Sequence, residues 1–414
     1  MSGALPLTGI YDWNQSGSAS ITTPEHPVEL NDETLRDGMQ AAYVTRPSMD
    51  EQVQLLQLMA ELGIHTANIG LPGAGGTVYS ETLALAQEVS RLRIDIDLNC
   101  AGRTLVNDAR AIAEISQACG QQVEACLFVG SSPIRMDVQG WNLDRLLGFV
   151  RESITFATDE GLPVMFVTED TTRAAPEDLR ALYLTAIECG AARLCLSDTV
   201  GHATPPGVHN LVSFIRSVID ESGVKGLKID WHGHMDRGLG VWNAVAAYQA
   251  GANRLHGAAL GIGERVGNVP MDQLLINLKL LGYINQDLTS LATYADLASV
   301  STHVPIPPNY PVLGSGAFET GTGVHADAII KALRRGDRDL ADRVYSAVPA
   351  SWVGREQVIC VGHMSGKSNV IWWLEERGIE PTDTLVDTIL TAAKAGNRLL
   401  TNQEIEEIIS AQTT

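Results

Sequence analysis

Between residues 28 and 286 the chain alternates short apolar runs with longer amphipathic ones. The short runs, at 28–35, 65–70, 94–100, 123–129, 163–168, 193–196, 227–231 and 254–259, have the length and β-branched content of buried strands. The longer runs, at 49–62, 80–91, 105–119, 143–159, 176–188, 206–220, 240–249 and 271–281, space their apolar residues by three and four, as one face of a helix requires. The fifth of these opens with Pro176, Glu177 and Asp178, residue types that suit a first helical turn. Alternating strand–helix units demand a parallel sheet covered by helices. Eight of them in about 255 residues favour a closed (β/α)8 TIM barrel over an open doubly wound sheet. The absence of a G-x-G-x-x-G fingerprint after the first strand agrees with that choice.

From about residue 287 the alternation stops. Helical patterns at 288–301, 326–335, 383–395 and 402–410 surround the Pro-rich stretch Pro305 to Pro311. They predict a largely helical C-terminal extension over 287–414, joined by a rigid linker. Residues 1–27 are rich in Ser, Thr, Gly and Pro and read as an irregular arm without a basic-then-apolar signal pattern. No run approaches the ~18 apolar residues of a membrane span, so a soluble, cytoplasmic protein is expected.

Composition narrows the possible partners. A formal charge of −20 with no basic tract argues against nucleic acid. An anionic substrate would have to be met locally, by particular Arg or Lys residues or by a metal. The six cysteines show no C-x-x-C pairing and sit mostly in apolar runs, which predicts buried, reduced thiols.

The candidate chemistry lies where a barrel keeps it, on the loops after the strands. The seventh strand runs into His232-Gly-His234, and strand alternation points both imidazoles to one side. Elsewhere the strand ends deliver Arg36, Asp37 and Gln40; Arg103; Ser131, Ser132 and Arg135; Glu169 and Asp170; Ser197, Asp198 and Thr199; and the run Gly261 to Asn268. Singly, Asp170, Asp198 or Thr199 is equally well a helix cap, and Glu264 and Arg265 equally well a surface pair. Asp37, His232 and His234 together supply one carboxylate and two imidazoles with positions left open. That set suits a divalent Mg, Mn or Zn that binds substrate directly.

Three of these stretches, Leu35-Arg-Asp-Gly-Met-Gln40, His232-Gly-His234 and Gly261-Ile-Gly-Glu-Arg-Val-Gly-Asn268, resemble signature motifs of the 2-isopropylmalate synthase and homocitrate synthase family. Ser131-Ser-Pro-Ile-Arg-Met136 and Ser197-Asp-Thr-Val-Gly201 match in place, and Gly323-Val-His325, Tyr345 and Ser365-Gly-Lys367 extend the likeness past the barrel. Members of that family are metal-dependent barrels that condense acetyl-CoA with a 2-oxo acid. The resemblance implies that Asp37, His232 and His234 hold the metal, with Asn268 close to it. It implies that Arg36 donates to the ketone oxygen as an alkoxide forms, and that Thr199 holds the substrate carboxylate. Glu169 and His325, the latter with Tyr345, are the alternative acid–base groups. It also implies a homodimer, the extension reaching over a neighbouring subunit's barrel, and hydrolysis of the thioester as the last step.

Two departures from the family pattern carry information. Only 47 residues follow Ser365-Gly-Lys367, so the leucine-binding regulatory domain and leucine feedback are not expected. In the acceptor pocket, Cys126 stands where isopropylmalate enzymes have a histidine, Val167 replaces a serine, and Ala101 or Gly102 replaces a leucine. These changes are either neutral repacking or the mark of a larger, less polar pocket. The second reading suits an acceptor such as phenylpyruvate, giving benzylmalate. The alternatives are a 2-isopropylmalate synthase without feedback, a homocitrate synthase, for which only Arg103 and Arg135 offer a distal cation, and a hydroxyacyl-CoA lyase.

Overall fold

The computed structural model describes residues 11, 13–15 and 24–412, so the expected N-terminal arm falls mostly outside the described residues. Eight parallel strands close into a barrel in chain order. They are β1 (Glu29–Asp32), β2 (Thr66–Asn68), β3 (Asp97–Arg103), β4 (Val123–Gly130), β5 (Val164–Glu169), β6 (Arg193–Asp198), β7 (Lys228–Gly233) and β8 (Arg254–Gly257). Closure comes from pairing of β1 with β8, where Asn31 faces His256 and Asp32 faces Gly257. The helices are α1 (Met49–Glu61), α2 (Gly76–Leu92), α3 (Val106–Cys119), α4 (Pro133–Gln139), α5 (Leu143–Asp159), α6 (Pro176–Glu188), α7 (Pro205–Ser222), α8 (Gly240–Gln249), α9 (Met271–Leu280) and α10 (Leu291–Thr302). The TIM barrel predicted from the alternation is therefore the fold.

Local sequence explains the element ends. Ser48 and Glu51 form a capping box at the start of α1, each side chain taking the other's backbone N–H. Helix α4 escapes the periodicity argument because it buries no residue and exposes Ile134 and Val138. Its signals are Ser132, whose hydroxyl accepts from the Arg135 N–H, followed by Pro133 at the first helical position. Strand β3 starts three residues later than its apolar run and reaches Arg103. That shift places Ala101 on the strand rather than on the loop after it.

The chain forms two compact units, one comprising residues up to 287 with 293–305, the other 288–292 with residues from 306 onward. The hydrophobic pattern assigns 288–301 to the extension, but residues 293–305 belong with the barrel. The Tyr294 hydroxyl is buried against Thr34 at 3.3 Å and donates to Asp32, and the Thr45 N–H donates to the Thr302 carbonyl at 2.9 Å. The second unit holds helices α11 (Gly323–Arg334), α12 (Arg338–Arg343), α13 (Lys367–Glu375), α14 (Asp383–Ala395) and α15 (Asn402–Gln412) and a two-stranded ladder of β9 (Glu319–Thr320) and β10 (Val358–Ile359). Val361, Val370, Trp373, Val386 and Ile389 form one of its apolar clusters. All six cysteines are free thiols. Among the described residues, no helix is long and apolar enough to cross a membrane.

Candidate active site

Side chains alternate along each strand, so every second residue faces the barrel axis. In the lower interior those residues are charged. Arg254, 1% exposed, donates to Asp230 and to Glu124, each at 2.5 Å. Arg193 donates to the other Asp230 oxygen at 2.7 Å and pairs with Glu29. Above this floor, at the C-terminal ends of the strands, lies a cavity of about 400 Å3.

One side of the cavity is polar. Asp37 follows β1, His232 lies on β7 and His234 just beyond it. Their nearest ligand atoms fall within 4.8 Å of one another. The Asp37 carboxylate is 3.3 Å from His232 Nε2 and 3.7 Å from His234 Nε2, and the two Nε2 atoms are 3.3 Å apart. Burial opposes ionisation of Asp37, yet Arg36, then His232 and His234, outweigh it and hold the carboxyl well below its ordinary range. Burial, helped by His232, pushes the pKa of His234 down to about 4, so its imidazole is neutral at pH 7. An ionised carboxylate and a neutral imidazole are the protonation states in which these groups bind a metal. Asp37 Oδ1 and Asn268 Oδ1 are both buried without a hydrogen-bond partner, while Asn268 Nδ2 donates to the Ile262 carbonyl at 3.0 Å. Buried acceptors left unpaired beside two imidazoles fit a divalent cation.

Arg36, Gln40, Glu169 and Thr199 also line the cavity. Burial raises the pKa of Glu169, despite Arg135 at 3.2 Å. The Thr199 hydroxyl accepts the Asp170 N–H at 2.8 Å, which leaves its own proton free to donate.

The facing side is apolar. Ala101, Cys126, Met165, Val167 and Cys195 line the cavity from β3 to β6. Ala101 sits opposite Cys126, Cys126 opposite Met165, and Val167 opposite Cys195 in the strand registers. Gly102 faces outward, since a Cβ there would meet Leu127, Asp108 and Ile112, so Ala101 is the wall residue.

Not every sequence candidate joins this cavity. Arg103 is absent from its lining because Asp108, in the first turn of α3, takes the guanidinium at 2.8 and 2.9 Å and the Arg103 N–H at 2.9 Å. His325 and Tyr345 belong to the second unit, where their rings lie 4.1 Å apart between centroids at 30°. Glu33 and His256, which the sequence reading passed over, both line the cavity. The available signal was strand phase, because His256 shares the parity of Arg254 on β8 and Glu33 that of Asn31 on β1.

Comparison with known proteins places this geometry. The HMGL-like family matches residues 27–303. The chain is 31% identical over 389 residues to homocitrate synthase AksA of Methanopyrus kandleri, covering 92% of this chain and 91% of that one. It is 30% identical over 370 residues to a probable 2-isopropylmalate synthase of the same organism, covering 89% and 69%. Its fold is that of the HMG-CoA lyase of Brucella melitensis, with a TM-score of 0.54, 15% identity, and coverage of 66% of this chain and 98% of that one. Motifs, barrel and relatives agree, and the chain belongs to the HMGL-like family, within its group of 2-isopropylmalate and homocitrate synthases.

Proposed function

We propose that the protein is an acyltransferase that condenses acetyl-CoA with a 2-oxo acid to give a 2-substituted malate and CoA. The observation that carries this reading is the Asp37, His232 and His234 cluster beside Arg36, facing an apolar wall across one cavity. A divalent Mg, Mn or Zn held by that cluster, with Asn268 beside it, would polarise the carboxylate and ketone oxygens of the 2-oxo acid.

The protein's own groups do the rest. Arg36 presents N–H groups to the ketone oxygen, whose negative charge develops only in the transition state. Thr199 donates its hydroxyl proton to the substrate carboxylate, and Gln40 lines the same region. Glu169, which lines the cavity with its pKa raised by burial, takes the proton from the acetyl methyl group in this reading. The new carbon–carbon bond joins that methyl carbon to the ketone carbon. Water then cleaves the thioester, releasing CoA and the malate carboxylate. His325 and Tyr345 act as a second acid–base pair, and the enzyme works as a homodimer in which the extension is shared.

The acceptor's side chain meets the wall of Ala101, Cys126 and Val167, which favours a bulky apolar group such as the benzyl of phenylpyruvate. A specific observation supports a second reading. Arg135 lines the cavity with its Nε paired to the Glu169 carboxylate at 3.2 Å, and its terminal nitrogens are suited to a distal carboxylate such as that of 2-oxoglutarate. Release of CoA, followed with phenylpyruvate, 2-oxoisovalerate and 2-oxoglutarate in parallel, separates these readings. Preference for phenylpyruvate supports the first. Preference for 2-oxoglutarate, lost in Arg135→Met, establishes the second. No CoA release with any 2-oxo acid refutes the condensation.

A further inference from the structure

Arg36 carries five guanidinium N–H groups, and three are engaged inside the protein. Its Nε and one terminal nitrogen donate to the same Glu33 oxygen, at 2.9 and 2.5 Å. The other terminal nitrogen donates to Asp37 at 3.2 Å. One N–H on each terminal nitrogen is left for a ligand. Glu33 is in turn immobilised. Its second oxygen accepts from Asn31 Nδ2 at 2.8 Å and lies 3.2 Å from His256 Nδ1. The far side of that imidazole, Nε2, lies 3.1 Å from Asp230, which is itself held by Arg254 and Arg193.

Arg36, Glu33, His256, Asp230 and Arg254 therefore form a column of alternating sign from the cavity down the barrel axis, and the last four are at most 2% exposed. Glu33, His232 and His256 also satisfy the geometry of a metal triad. However, Arg36 occupies the Glu33 oxygen, and Glu33 and Asp230 occupy both nitrogens of His256. The group is an ion-pair column, not a second metal centre.

From this geometry we propose that Glu33, locked by His256, is the positioning residue of the site. It holds the guanidinium of Arg36 to a single contact with Asp37, so that two N–H groups stay free for substrate and Asp37 Oδ1 stays free for metal. The reason is a competition between two carboxylates. Arg36 lies between Glu33 and Asp37, and a guanidinium with one carboxylate neighbour pairs with it in a two-pronged fork. Without the charge of Glu33, Arg36 turns onto Asp37. That single movement withdraws the donor from the ketone oxygen and covers the ligand oxygens of Asp37. The inference rests on the reading of Arg36 as the ketone-oxygen donor.

The test is a cycle of Glu33→Gln, Arg36→Ala and the double variant in the full-length protein, read by direct Mn2+ titration and, at saturating Mn2+, by kcat and KM. Glu33→Gln should weaken Mn2+ binding about tenfold, the scale of lost outer-shell contacts. It should lower kcat on the order of 100-fold, as a displacement of about 1 Å does, with KM for the 2-oxo acid little changed. Glu33→Asp, which keeps the charge, should recover most of both. In the Arg36→Ala background, Glu33→Gln should leave Mn2+ affinity unchanged, because no guanidinium remains to turn. A merely structural role predicts equal weakening with and without Arg36, and that result would overturn the proposal. So would an unchanged Mn2+ affinity and kcat in Glu33→Gln. Full kcat in Arg36→Ala would instead refute the donor role of Arg36, and this inference with it. Should Glu33→Gln not fold, His256→Asn, which frees Glu33 from its lock, runs through the same cycle with the same opposing outcomes.

Discussion

Filling the apolar wall should change which acceptor the enzyme prefers. Ala101 is 4% exposed, lies opposite the similarly buried Cys126 in the strand register, and borders a cavity of about 400 Å3. Ala101→Leu adds three carbons where an acceptor ring would lie. A phenyl ring buries roughly 150 Å2, worth about 4 kcal/mol at ~25 cal/mol per Å2. Forcing extra carbons against it costs about 1–3 kcal/mol. Since ~1.4 kcal/mol is a factor of ten, kcat/KM for phenylpyruvate should fall by between about fivefold and about 150-fold. The isopropyl group of 2-oxoisovalerate is smaller, so its kcat/KM should hold or rise. Cys126→His, at the paired position, should act in the same direction. The assay is CoA release at limiting acceptor, with melting temperature recorded to exclude a folding defect. Equal losses for both acceptors, or a wild-type enzyme that uses 2-oxoisovalerate far better than phenylpyruvate, would defeat the enlarged-pocket argument.

Three other outcomes are expected. His232→Ala or His234→Ala should remove stoichiometric divalent metal and abolish condensation while the barrel stays folded, and full metal content with full activity in both would remove the cluster from the mechanism. Because burial raises the pKa of Glu169 above the ordinary carboxylate value, and only its ionised form accepts a proton, activity should decline as pH falls through that raised pKa; Glu169→Gln should lose that acidic limb along with most of kcat, and an unchanged profile would assign the base elsewhere. Mixing inactive Arg36→Ala with inactive His325→Ala protein should restore part of the activity through hybrid dimers; no recovery after verified subunit exchange would count against a shared site.

The parts of this fold legible in the sequence are those fixed by one strong local signal. Eight apolar runs separated by helical periodicity left little choice of architecture. His232 and His234, two positions apart at a strand end, had to face the same way. What escaped depended on contacts across the barrel. Glu33 and His256 are 223 positions apart in the chain, and only closure of β8 onto β1 brings their side chains together. Arg103 had the right residue type at a strand end, but Asp108, five positions on, captures it. Ala101 and Gly102 could not be separated while the end of β3 was placed at residue 100; once the strand runs to Arg103, alternation decides between them.

The same register explains how one site can keep its chemistry while its acceptor changes. The metal-ligand candidates and the charged column beneath them come from β7, β8 and the end of β1, and the apolar wall comes from β3 to β6. A 2-oxo acid is itself divided this way, with two oxygen-bearing carbons at one end and a variable side chain at the other. Bound across the barrel, it would turn its oxygens to Asp37, Arg36 and the histidines and its side chain to Ala101, Cys126 and Val167. Substitution in the wall then alters volume and polarity without touching an ion pair, and apolar cores accept such exchanges at small cost. Substitution in the column is different, because removing one member leaves a buried charge uncompensated, at roughly 3–5 kcal/mol. Acceptor specificity can therefore drift at the wall positions Ala101, Cys126 and Val167, while the charged column and the metal-ligand candidates tolerate little change.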